Sequence, residues 1–277
     1  MSRVLAVEVW QARQAAHEQR VDAWTAPVLA RAARRERHPV EDFLFTYYDH
    51  RPGQLRRWSP GAGVALAGRA AEGPWVAVEG GAVLGPPPDR VRGRAGRLAA
   101  LLTATAARAP HLGCFGLHEW AMVHRSPDVR HPVPLRLGAT GTAAVLESLP
   151  VRCSHFDAFR FFTPAARPLN ALQPTRDTRT ELEQPGCLHA TMDLYRGAYS
   201  LSPWTPAELV ADCFALARRV RELDMRASPY DLSGLGLAPV AVETAAGRAE
   251  YVSAQRAFAA QAAPLRERLR AAAELLA

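Results

Sequence analysis

The sequence predicts a mainly α-helical protein with a small β-sheet, an α+β chain folded as a single compact domain over residues 1–277. Three observations carry this. Long segments rich in Ala, Leu and Arg place apolar residues at helical spacing. Only a few short runs are β-branched or alternate in polarity. No internal repeat or low-complexity linker divides the chain.

The elements follow in order. Residues 3–36 read as helix, because Val4, Val7, Ala15, Val21, Trp24, Val28 and Leu29 form a loose apolar stripe. Pro27 is expected to kink or divide it. Arg31, Arg34, Arg35 and Arg37 make a basic cluster before Pro39. A short helix over 40–48 follows, with Pro39, Glu41 and Asp42 suiting its N-terminus, and Arg51-Pro52-Gly53 ends it. Residues 64–66 and 75–78 read as strands, with Gly80-Gly81 as a hairpin turn. Pro86-Pro87-Pro88 is a stop and a candidate hinge near 85–89.

Residues 89–108, 117–125 and 142–149 read as helices, and 151–162 alternates as a strand would. Pro164, Pro168, Pro174 and Pro185 make 163–186 a loop. Residues 187–199 read as helix, and 206–225 as a strong one with Thr205 at its cap. Residues 239–243 are the last expected strand, and 244–276 a long helix interrupted near Pro264.

Composition narrows the function. The chain is 48% hydrophobic and 22% charged, so it can build a core and is not disordered over its length. No apolar run reaches membrane-spanning length, which argues against a membrane partner. Glu8, Arg13 and Glu18 interrupt the first twenty residues, so a signal peptide is not expected and a cytoplasmic location is. All 34 basic residues are arginine. The absence of lysine closes pyridoxal-phosphate chemistry, Schiff-base aldolases, glycosylases acting through a lysine imine, and the P-loop. The net charge of +7 fits either a solvated, arginine-rich surface or a nucleic-acid footprint. There is no Gly-x-Ser-x-Gly elbow and no Gly-x-Gly-x-x-Gly between strand and helix.

Six of the nine histidines fall between His111 and His189. Three clusters stand out: Cys114-Phe-Gly-Leu-His118-Glu119, Cys153-Ser-His155-Phe-Asp157 and Cys187-Leu-His189-Ala-Thr-Met-Asp193. On a strand, His155 and Asp157 would share a face. On a helix, His189 and Asp193 lie one turn apart. His118, His155, His189 and Asp193 are therefore candidate ligands for Fe or Zn, with Glu119 able to complete a shell. The same residues could form a metal-free catalytic cluster or ordinary structural polar groups, and the cysteines small buried apolar ones. No HExxH, CxxC or HxH motif is present.

A second group carries aromatics and arginines. Tyr47 and Tyr48 precede Arg56, Arg57 and Trp58, a combination able to stack a flipped base and hold phosphates. On helices such residues also serve as core. The segment 223–232 puts Asp224, Arg226, Ser228, Tyr230 and Asp231 at a helix end, as a site wall or as capping.

Over about His17 to Leu269 the chain resembles actinobacterial proteins generally labelled 3-methyladenine DNA glycosylase. The segments that carry the resemblance are His38-Pro-Val-Glu-Asp-Phe-Leu-Phe-Thr-Tyr-Tyr, Cys114-Phe-Gly-Leu-His-Glu-Trp-Ala-Met-Val, Cys153-Ser-His-Phe-Asp-Ala-Phe-Arg-Phe-Phe-Thr-Pro, Gln184-Pro-Gly-Cys-Leu-His and Leu223-Asp-Met-Arg-Ala-Ser-Pro-Tyr-Asp. The resemblance implies a monofunctional, water-using hydrolase that excises an alkylated base from double-stranded DNA without a cofactor. Glu119 and Asp157 would then be the catalytic carboxylates. Tyr47, Tyr48 and Trp58 would stack the base, and Arg56, Arg57 and Arg226 would hold phosphates. The alternative from the residues alone is a metal-dependent enzyme acting on a small molecule, hydrolytic or oxidative. A third reading is a non-catalytic DNA-binding protein.

Overall fold

The computed structural model describes residues 3–127, Val129 and 131–277. Its elements run β1 (Arg3–Leu5), α1 (Val7–Ala33), α2 (Phe43–Tyr47), α3 (Pro52–Arg56), β2 (Val64–Ala67), β3 (Trp75–Val78) and β4 (Gly81–Leu84). Then come α4 (Asp89–Ala106), α5 (Leu117–Ala121), α6 (Gly138–Ser148), α7 (Phe156–Phe159) and α8 (Arg179–Leu182). The last three are α9 (Leu188–Ser200), α10 (Ala207–Arg226) and α11 (Ala245–Leu276). Short 3₁₀ turns lie at Arg167–Leu169 and Ser233–Leu235. The class is mainly α with one small sheet, as the sequence predicts.

The chain forms two compact units. The first contains residues up to Leu102, Leu194–Ala215 and Leu265–Ala277. The second contains Thr103–Asp193 and Leu216–Pro264. The triple-proline segment lies inside the first unit, between β4 and α4.

In the first unit the sheet order is β1-β2-β4-β3. β1 runs parallel to β2, with Arg3 opposite Val64, and β2–β4 and β4–β3 are antiparallel. Gly80 turns the hairpin at φ +74°, a conformation that suits glycine. Gly81 is required for a different reason: a Cβ there would lie 2.0 Å from the Leu66 carbonyl oxygen across the sheet. Trp10 of α1 anchors to the sheet, its Nε1 donating to Ala67 O at 3.1 Å. Leu84, Val91, Ala95, Leu201, Trp204, Ala273 and Leu276 make one apolar core. A second, aromatic cluster gathers Trp24, Phe45 and Tyr195 around Phe214, with ring centroids 5.0–5.3 Å away.

The second unit is built on buried Leu117, Trp120, Leu146, Phe159, Leu188, Met192, Val220, Met225, Tyr230 and Tyr251. Apolar side chains at helical spacing on α9 and α10 supply much of this core.

Several expectations are corrected. Residues 3–5 are a strand, because β2 supplies a partner distant in sequence. α1 continues through Pro27 and α11 through Pro264. Residues 151–162 are not a strand. Val151 makes one bridge, to Asn170, and His155 then caps α7 with extended backbone. Residues 239–243 are irregular: Val240 and Val242 are buried, but no strand among the described residues pairs with them, and Val240 N donates to Arg226 O at 2.8 Å. Thr205 does not cap α10 with its side chain, since its Oγ1 is buried without a hydrogen-bond partner.

Candidate metal centre

The second unit brings all three histidine clusters together. The backbone that delivers each one is fixed by side-chain amides and by unusual turns. Before α5, Phe115 and Gly116 both have positive φ, +47° and +69°. A non-glycine residue in that region carries strain, and here two successive left-handed residues aim α5 inward. α5 is then tethered by Trp120 Nε1, which donates to Ala227 O at 2.9 Å. The segment before α7 is clamped by Asn170. Its Oδ1 accepts from Cys153 N at 2.7 Å, and its Nδ2 donates to Cys153 O at 2.9 Å and also to Leu172 O.

The Gln184-Pro-Gly segment leading into α9 has the same logic. Gln184 Oε1 accepts from His111 N and Gly186 N, at 2.8 and 2.7 Å. Gln255 of α11 donates from Nε2 to Gly186 O at 2.6 Å and to Cys114 Sγ at 3.2 Å. Gly186 leaves no room for a side chain, because a Cβ would meet His111 O at 2.8 Å.

His118, His189 and Asp224 converge. One ligand atom from each lies within 4.8 Å of the others. His118 Nε2 is 3.0 Å from Asp224 Oδ1, and both atoms are buried. They are close enough to attract as an ion pair, but the angles are wrong for a hydrogen bond, and neither atom has another partner. The rings of His118 and His189 meet edge to face with centroids 4.4 Å apart. His155 stacks on the other side of His189, at 5.2 Å and 25°. His155 Nε2 lies 3.4 Å from Asp193 Oδ2 and 3.7 Å from Glu183 Oε1, and neither of its ring nitrogens has a hydrogen-bond partner.

Two arginines balance the carboxylates. Arg221 Nη1 donates to Glu119 Oε1 at 2.7 Å and to Asp224 Oδ2 at 3.0 Å, fully buried. Arg179 donates to Glu183 Oε1 from Nε at 2.6 Å and approaches Asp193 Oδ2 at 3.4 Å.

The charges split the three imidazoles. Burial works to lower His118, but the Asp224 carboxylate outweighs it and holds the group above its usual value. For His155, burial is likewise overcome, by Glu183 and Asp193. His189 has no such carboxylate in contact, so burial and the neighbouring His118 push it well below the ordinary histidine range. His189 therefore stays neutral, the form that ligates a cation. Asp224 is held well below the carboxylate range: the charge of His118 outweighs the burial that would raise it. Burial pushes the thiol of Cys153 up to about 12 and that of Cys187 well above its usual value. These cysteines line the site as small apolar groups, and the available donors are nitrogen and oxygen. A cavity of about 20 Å³ sits against them, lined by Cys114, His118, Cys153, Cys187, His189 and Tyr251. That volume holds one water or one ion.

The sequence-predicted residues divide between the units. His118, His155, His189 and Asp193 join in one cluster, with Asp193 beside His155 rather than its helix neighbour His189. Glu119 is committed to Arg221, and Asp157, on α7 instead of a strand, lies 3.3 Å from Arg160. Arg226 binds Ala238 O and Glu250. Tyr47, Tyr48, Arg56, Arg57 and Trp58 all belong to the first unit. Tyr48 is buried against Tyr195, Tyr47 stacks on Phe43, and Arg56 pairs with Glu18 and Asp22. Sequence reading missed Asp224 as a candidate ligand, together with Arg221, Glu183 and Arg179. The available signal was the polar segment after Leu223, with Arg221 one helical turn before Asp224.

No protein family, curated protein or solved structure matches this chain.

Proposed function

We propose that the chain is a metal-dependent enzyme acting on a small molecule, with one cation held by His118 Nε2, a ring nitrogen of His189 and Asp224 Oδ1, the cation taking the place of the proton that Asp224 favours on His118. The observation that carries this reading is the pair of buried, unsatisfied atoms, His118 Nε2 and Asp224 Oδ1, 3.0 Å apart and misaligned for a hydrogen bond. A buried polar atom without a partner is costly, and a cation between the two would satisfy both. Ligands around Zn sit at about 2.0–2.2 Å, hence about 3.3–3.5 Å from one another in a tetrahedron. Groups already within 4.8 Å need close by only about an ångström.

Two imidazoles and one carboxylate leave coordination positions open for water and substrate, as catalytic sites do. With Zn the set suits hydrolysis, and with Fe(II) it suits oxidation. Arg221 orients Asp224 from behind, and Glu119 holds Arg221 in place. Glu183 and Asp193 favour the charged form of His155, which supplies an acid beside the centre.

Base excision draws less support from the same geometry. Glu119 and Asp157 both lie against arginines. The cavity at the cluster, about 20 Å³, takes an ion, while an extruded base needs a pocket of its own size.

The test is metal content by elemental mass spectrometry on tag-free protein, with H189A and D224N alongside. The expected result is about one equivalent of Zn or Fe, lost in both variants. Folded protein that takes up neither metal when supplied with both refutes the reading.

A further inference from the structure

The first unit contains a cleft of about 850 Å³, in the size range of small-molecule sites. Its lining includes Arg57, Arg69, Arg90 and Arg94 against a single carboxylate, Asp49. Several arginines elsewhere in this unit are matched with acids, while Arg35, Arg37, Arg51 and Arg97 are exposed like those of the cleft. Arg13 pairs with Glu208, Arg20 and Arg268 with Asp212, Arg31 with Asp42, and Arg56 with Glu18 and Asp22. In the cleft, Arg94 donates only to a backbone carbonyl, Ser200 O, at 2.9 Å, and Arg69 lies 4.8 Å over the Trp75 ring. Arg57 and Arg90 are exposed and have no partner among the described residues. Surplus guanidinium groups around a concavity are a receptor for a multiply charged anion, and phosphate matches their fork geometry.

The walls add a second requirement. Trp58 is fixed by its Nε1, which donates to Glu208 Oε1 at 2.9 Å. His50 lies parallel to Tyr199, with centroids 4.5 Å apart at 4°, and Trp75 completes the aromatic lining. Trp10 and Arg13 already lie against Trp58, at 6.4 and 5.5 Å from its centroid, and Arg69 over Trp75, so the aromatic surface they leave beside Arg57 and Arg90 is what a ligand with both a flat ring and a phosphate would meet. We propose that this cleft binds a free nucleotide, with Arg57 and Arg90 on the phosphate and the tryptophans against the base. The inference uses no residue of the histidine cluster and stands independently of the metal reading.

Tryptophan fluorescence of the intact protein, titrated with AMP, ADP, adenosine, inorganic phosphate and a short oligonucleotide, tests it. The expected result is saturable quenching by AMP and ADP, at least about tenfold weaker with adenosine or phosphate alone. R57A/R90A should weaken nucleotide binding by about tenfold or more, while R37A leaves it unchanged. Because Arg57 and Arg90 are exposed and make no bond, the double variant keeps the wild-type melting temperature, which the same samples report. Absence of saturable nucleotide binding up to about 10 mM, far weaker than ordinary cofactor affinities, overturns the proposal. So does binding unchanged in R57A/R90A, binding of phosphate alone as tightly as of AMP, or binding confined to the oligonucleotide.

Discussion

Replacing His189 with alanine separates a ligand from a structural histidine, because this side chain does little else. It is half-buried and neutral, makes no ion pair with a carboxylate among the described residues, and packs its ring against those of His118 and His155. Its removal breaks no ion pair, so the cost to the metal-free protein is the ordinary one for a partly buried side chain, about 1 kcal/mol. On the metal reading, however, it is one of three ligands in the loaded protein. A cation at about a hundred times its dissociation constant stabilises the native state by about 2.7 kcal/mol. At about 2–4 °C per kcal/mol, the wild-type melting temperature rises by about 5–11 °C on loading. The assay is thermal unfolding of chelator-stripped protein, with and without Zn or anaerobic Fe(II). Wild-type and H189A should melt within about 4 °C of each other when stripped, and only wild-type should gain the full shift. An equal gain in both proteins would refute the reasoning, since the cation would then sit elsewhere.

Three further outcomes follow from other contacts. R221M leaves Glu119 and Asp224 buried without their guanidinium, so urea unfolding should show a loss of about 3–5 kcal/mol, and a loss under about 1 would mean that the network is not a buried one in solution. His50, in the first unit, is pushed down to about 4 by burial despite Asp49 nearby, so the fold holds it neutral while the unfolded chain takes up a proton near 6.5. Stability from this group is complete above about pH 6.5 and is lost as the pH falls toward about 4, by up to about 3 kcal/mol; H50F should flatten that part of the stability–pH curve, and an unchanged curve contradicts the assignment. On the metal reading, purified protein releases no 3-methyladenine from alkylated duplex DNA, whereas release abolished by E119Q or D157N would restore base excision.

The helices that place the site were readable because their apolar spacing is undisturbed: α9 and α10 begin and end within about two residues of expectation. The hairpin β3–β4 was readable from its glycines. What misled was alternation without a partner. Val240 and Val242 are both buried but in an irregular, turning segment, and 151–162 alternates while Asn170, not a neighbouring strand, takes up the backbone groups of Cys153. β1 depends on pairing with β2, a non-local event that three residues cannot announce. Pro27 was expected to kink or divide its helix and Pro264 to interrupt its own, and neither divides it: both helices run on. At the site, local spacing identified His118, His155, His189 and Asp193 but not how they are partnered. Asp224 comes from α10, and only the folded unit shows that it, rather than Asp193, faces His118 and His189.

The Asn170 clamp bears on the lifetime of the protein. An asparagine side chain can lose ammonia slowly and become a carboxylate. At position 170 that change would remove the amide that serves two carbonyls, Cys153 O and Leu172 O, and set a negative oxygen against them. The loop that presents His155 would lose its fastening without any change in the histidines. On the metal reading, old preparations would then lose bound cation while their histidines remained chemically intact, and a mass increase of about one dalton on the peptide containing Asn170 would date the loss.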